Sequence, residues 1–141
     1  MADPQPLLAP VIALVVWTVV MWGWMYATRI PAILRMRMKL DGNAPRGEQM
    51  ATLPARVRWK ADNYNHLFEQ PVLFYATAIS LAMLGDDSGA SLLLAWGYVA
   101  LRVVHSLWQA LVNRIPVRFA LFLLSSLALF ALVARAALRV F

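Results

Sequence analysis

From Leu7 to Thr28 the chain runs without a single charged side chain, and that run decides what it can fold into. About twenty predominantly apolar residues are what an α-helix needs to cross the ~30 Å hydrocarbon layer of a bilayer. Further runs of the same kind follow at about 61–84, 90–112 and 116–139. The 141 residues are 62% hydrophobic and 14% charged, whereas a soluble domain is roughly half apolar and a quarter charged. The expected fold class is therefore an all-α membrane protein, a single domain over 1–141 built as a four-transmembrane-helix bundle. Transmembrane strands would show alternating segments of about ten residues, and these runs are too long and too uniform for that.

The polar residues are concentrated between the first two runs. Arg29, Arg35, Arg37, Lys39, Arg46, Arg56, Arg58 and Lys60 stand against Asp41 and Glu48 over positions 29–60. The positive-inside rule puts this loop in the cytoplasm and both termini outside. Anionic headgroups account for the basic charge, and no nucleic-acid motif accompanies it. Arg29 and Pro31 are expected to close the first helix near Thr28. The N-terminal segment, MADPQPLLAPVIALVVW, lacks the basic start of a signal peptide and is read as the beginning of a retained helix. With no cysteine, the chain has no thiol of its own, so any thiol chemistry must use one carried by the substrate.

Two charges lie inside apolar runs, Glu69 and Arg102. Such a charge costs at least about 2.5–3.5 kcal/mol and normally faces a partner, a cavity or a ligand. On the second helix, which Pro71 is expected to kink, Asp62, Asn65, His66 and Glu69 share one face; on the third, Arg102, His105, Gln109 and Asn113 do. Both stripes open toward the loop side, where Arg118, Arg56, Arg58 and Lys60 also lie. One reading is a structural Glu69–Arg102 ion pair with polar contacts between helices. The other is a basic cleft for a small anionic ligand, since arginine holds carboxylates in bidentate fashion. The further His, Gln, Asn and Arg on the same faces favour the cleft. His66 and His105 could ligate a haem in principle, but Glu69 and Arg102 would crowd it. No metal-spacing motif, phosphate loop or nucleophile elbow appears, so neither metal nor haem is expected.

The stretch Arg102-Val-Val-His105, Gln109, Arg114-Ile-Pro116-Val-Arg118, and the stretch NHLFEQPVLFY from Asn65 to Tyr75, resemble the membrane-associated proteins in eicosanoid and glutathione metabolism (MAPEG), the second being closer to their bacterial members. That family's pattern is R-x-x-H, a tyrosine four residues on, a closing P-x-R, and N-x-x-E before a proline and aromatic run. The resemblance implies a homotrimer in a bacterial inner membrane, with glutathione between subunits and a lipophilic second substrate arriving from the lipid. Carried over, Arg118 is the catalytic residue near the thiolate. Asn65, Glu69, Arg102, His105 and Gln109 bind glutathione, joined by Arg58 at the mouth, while Arg35 or Arg37 matches a basic residue after the first helix. The departures are one extra residue between Asn65 and Glu69, Gln109 for the tyrosine, and Phe119 where catalytic eicosanoid members have a serine. The expected function is a glutathione-dependent transferase or peroxidase. A non-catalytic binding or scaffold module is the alternative, and a small multidrug antiporter comes last, because its carboxylate belongs in the first helix, where this chain has none.

Overall fold

The structure is a computed structural model that describes residues 5–141. The first four residues, which open the segment read as a retained helix, lie outside the described residues. Six helices follow in order: α1 (Leu8–Arg35), α2 (Glu48–Ala51), α3 (Ala55–His66), α4 (Gln70–Met83), α5 (Gly89–Leu111) and α6 (Ile115–Val140). Among the described residues there is no strand. α1, α5 and α6 are each long and apolar enough to cross a membrane.

Two expectations about the helices need correction. The first helix does not close at Thr28; it runs through Arg29 and Pro31 to Arg35. Pro31 removes one hydrogen bond, but Ile30, Ala32, Ile33 and Leu34 continue the apolar pattern. The helix ends instead where Arg37 takes a left-handed φ of 50° and Met38 N–H reaches back to the Ile33 carbonyl, 3.2 Å. The polar loop is correspondingly shorter, and it is ordered by α2 and by Gln49, which bonds the Asp41 N–H and the Lys39 carbonyl.

The second expected helix, 61–84, is two helices. α3 ends at His66 and α4 begins at Gln70, with Glu69 at φ −90°, ψ −98° between them. The cause is Pro71. It cannot donate to the carbonyl four residues back, its ring crowds that carbonyl, and it disfavours helical backbone at the residue before it. α4 alone rises only about 21 Å, short of the bilayer core.

α5 and α6, joined by the tight Val112–Arg114 turn, make the most extensive helix contact; α1 packs on α3, α4 and α5, and α4 on α6. The core lies where these faces meet. Leu14 and Met21 come from α1, Phe74, Ala78 and Leu81 from α4, Tyr98 from α5, and Leu129 and Leu132 from α6; all are fully buried. Phe74 stacks on Tyr98 with centroids 4.6 Å apart. The opposite faces carry exposed Ile12, Val16, Val19, Leu93, Leu127 and Phe130. In water so large an apolar surface would aggregate; in lipid it is the surface a spanning helix presents.

A polar latch ties the α4–α5 turn to the end of α6. The fully buried Asp86 accepts from the Ser88 N–H (3.0 Å) and the Ser91 hydroxyl (2.6 Å). Arg139 donates to Asp86 at 3.3 Å, and Arg135 donates to both serine hydroxyls. Burial by itself would push the Asp86 carboxyl up. The Ser91 and Ser88 bonds and the Arg139 guanidinium outweigh it and hold the carboxyl down at about 2, against an ordinary 3.8. A carboxyl whose value is lower in the folded state adds stability that is complete above its ordinary value and is lost as pH falls through the folded one. Thermal stability is therefore expected to fall as pH drops from about 4 to about 2, and Asp86→Asn is expected to remove that step while lowering stability at neutral pH.

Candidate functional site

α5 presents its polar stripe to the interior because it is unbroken. Arg102, His105 and Gln109 are all buried, at 1%, 3% and 1% exposure. α5 stops where Asn113 adopts a left-handed φ of 54°, and the N–H groups of Val112 and Asn113 both close on the Trp108 carbonyl. Asn tolerates this conformation better than most residues. The stop has a consequence for the first turn of α6, because the Asn113 side-chain oxygen accepts from Arg118 at 2.7 Å. The guanidinium is thus aimed by the residue that ends the preceding helix.

Arg118 lines a pocket of about 190 Å³ with His66, His105, Ile115, Phe119 and Phe122. It lies where the end of α3, the last third of α5 and the start of α6 meet. The two imidazoles face edge to face with centroids 6.0 Å apart. His66 Nδ1 is 2.9 Å from Glu69 Oε2, a contact that orients the ring and leaves its other nitrogen free. A cation at the head of a helix, two imidazoles and three apolar walls form a site that can hold an anion beside a lipophilic group. Ile115, Phe119 and Phe122 recur at i, i+4 and i+7 on one face of α6. That spacing was the signal for these walls, which sequence reasoning did not single out as site residues.

The other expected residues are distributed differently. Glu69 and Arg102 do not pair within the chain. The break before α4 takes Glu69 off the α3 face and leaves its side chain 66% exposed, while Arg102 donates to the His66 carbonyl at 3.1 Å. Its Nε and second terminal nitrogen have no partner among the described residues, and neither has the Gln109 side-chain oxygen. Arg102 therefore backs the pocket, holding the last turn of α3 over it, rather than lining it. Asn65 and Arg58 belong to a second cavity of about 370 Å³, with Arg29, Arg46 and Asp62. Asn65 precedes His66 by one residue, about 100° around a helix, so groove and pocket open on different sides of α3.

The face that α3 turns inward is also not the expected one. Lys60 donates to the carbonyls of Arg56 (2.8 Å) and Ala110 (3.2 Å) and stands over the Trp24 ring at 5.2 Å. Asn63 bonds the Ser106 hydroxyl. Lys60, Asn63 and Leu67, at i, i+3 and i+7, are the buried stripe, and Asp62 and Asn65 face outward. Beside the pocket a third, mostly apolar cavity of about 360 Å³ is lined by Val15, Val19 and Trp22 of α1 and by Tyr64, Phe68 and Tyr75 around the break.

Among the described residues no three His, Asp or Glu side chains converge as metal ligands would. Compared with known proteins, the chain matches no individual curated protein and no solved structure. A family model does match, over residues 7–138, which takes in α1 to α5, the cavities described above and all but the last two residues of α6. The chain is an integral membrane protein of the MAPEG family.

Proposed function

We propose that the chain is a glutathione-dependent transferase or peroxidase that acts on lipophilic electrophiles at the Arg118 pocket. The observation that carries this reading is Arg118 itself, held by Asn113 at the head of α6 and facing His66 and His105. A free thiol ionises near about 8.5, and only the thiolate is a good nucleophile. A guanidinium beside the sulfur, helped by the partial positive charge of the α6 N-terminus, favours the thiolate at neutral pH. The thiolate then attacks the electrophilic carbon, forming a carbon–sulfur bond as the leaving group departs with its electron pair, or attacks a peroxide oxygen, breaking the O–O bond to give an alcohol and a glutathione sulfenic acid, which a second glutathione converts to the disulfide with release of water. His105 and His66 are placed to supply or accept the proton. Phe119, Phe122 and Ile115 give the lipophilic partner a dry wall.

The basic groove suits the carboxylates of glutathione, through Arg58, Arg29 and Arg46, with Asn65 as a neutral partner. Because groove and pocket open on different sides of α3, this reading places glutathione between neighbouring chains of a homotrimer, against the groove of one and the pocket of the next. Glu69, exposed in the single chain, then faces a neighbour or the ligand amine. α3 and α4 together make the fourth crossing, with the basic loop cytoplasmic, both termini outside, and a bacterial inner membrane as the setting.

A second reading has its own support. The pocket is lined by no hydroxyl side chain, and Phe119 stands where a serine would donate to the thiolate. A non-catalytic module that keeps the cleft for a lipid or a partner would need no such donor. Titration calorimetry with glutathione separates the two. The enzyme reading expects saturable binding that is weakened in Glu69→Ala and Arg118→Ala; absence of heat at millimolar glutathione would exclude it. Glu69→Ala should leave the unfolding temperature nearly unchanged, since an exposed pair contributes at most about 1 kcal/mol.

A further inference from the structure

The latch at the end of α6 holds two guanidinium groups against one carboxylate. Arg139 is the group nearer to Asp86, at 3.3 Å, whereas Arg135 lies 3.9 Å from it and spends its hydrogen bonds on the neutral hydroxyls of Ser91 and Ser88. Asp87, the next acidic residue, is exposed and pairs with neither arginine. Both arginine side chains remain partly exposed, at 34% and 45%. Arg135, Leu138 and Arg139, at i, i+3 and i+4, line an open cavity of about 160 Å³. A guanidinium has five N–H donors, so several on each arginine remain available to a ligand. Leu138 is 85% exposed, and Val140 and Phe141 beside it are also exposed.

The position of this cavity selects the ligand. From Arg118 to Arg139 the helix rises about 30 Å, the thickness of the hydrocarbon core. With Arg118 at one membrane face, Arg135 and Arg139 reach the headgroup layer of the other, and Leu138 and Phe141 reach its acyl chains. A planar fork of donors at that depth matches a phosphate. We propose that Arg135 and Arg139 form a binding site for the phosphate of an anionic lipid headgroup, in the leaflet opposite the Arg118 pocket. The already satisfied Asp86 fixes the arginines, and the acyl chains lie along the exposed apolar residues of α6.

Native mass spectrometry of the full chain released from detergent tests this, with phosphatidylglycerol and phosphatidylcholine as the added lipids. The expected result is a retained phosphatidylglycerol at one per chain in preference to phosphatidylcholine. Arg139→Gln should cut its retention roughly tenfold, the weight of one charge-assisted hydrogen bond. Leu138→Glu, which touches only the open side of the cavity, should weaken it without disturbing the fold. Lys39→Gln, in the basic loop, should leave it intact. Retention in Arg139→Gln and Leu138→Glu equal to that of the unaltered chain would overturn the assignment. So would an Arg139-dependent rise in unfolding temperature with inorganic phosphate when phosphatidylglycerol is held no better than phosphatidylcholine, because the ligand would then be a free anion.

Discussion

Arg118→Ala is expected to lower kcat for thiol conjugation by about 10²–10³-fold, the usual effect of removing one preorganised donor from a developing charge. The KM for glutathione should change far less, because the proposed function assigns its carboxylates to the groove with Arg58 and Asn65, on the other side of α3. Arg118→Lys keeps a positive charge but loses the planar fork that Asn113 grips, so it should recover only part of the rate. Asn113→Ala should imitate a mild version of the same defect. It removes the acceptor that aims Arg118 and replaces asparagine, which tolerates a left-handed backbone, with alanine, which tolerates it less well. The result that would count against these roles is a common drop in kcat/KM for all variants with an unaltered kcat, which would mark Arg118 as a binding group only.

The largest loss of stability is expected at Phe74→Ala. Phe74 is fully buried and stacks on Tyr98, whose hydroxyl in turn meets Gln70 at 3.4 Å. Gln70 continues to Ser126 at 2.7 Å, so one aromatic pair and one polar chain join α4, α5 and α6. Emptying the ring's volume should cost about 3–5 kcal/mol. Lipid surroundings do not cancel this, because helix association in a membrane rests on packing rather than on escape from water. Phe74→Leu, which refills most of the volume, should cost well under half as much. Equilibrium unfolding of the purified chain in mild detergent measures both.

How much of this the sequence disclosed depends on whether a helix is interrupted. α5 carries no proline, so the spacing of Arg102, His105 and Gln109 translated directly into one buried face. The second helix does carry one, and Pro71 undid the same reasoning. A helical wheel assumes continuous rotation, and three irregular residues from Leu67 to Glu69 turned Glu69 outward. The inward residues of α3 were legible at the spacing of Lys60, Asn63 and Leu67, but a lysine on a buried stripe contradicts simple polarity. Only the Ala110 carbonyl and the Trp24 ring, both distant in sequence, explain it. Arg118 and its apolar wall lay within one helix and could be read from it. The latch could not, since Arg135 and Arg139 meet Ser88, Ser91 and Asp86 across separations of 44 to 53 residues. The end of α1 lies beyond the expected one for a different reason. Proline and arginine near a membrane face do not stop a helix whose apolar pattern continues past them.

The proposed function stands or falls on whether the Arg118 pocket holds a thiolate. Ultraviolet difference spectroscopy of glutathione binding at neutral pH tests it most directly, because the thiolate absorbs where the thiol does not. The expected result is a thiolate band that grows with glutathione, saturates with the binding isotherm and is absent in Arg118→Ala. Saturable binding of glutathione with no thiolate band in the unaltered protein would contradict it.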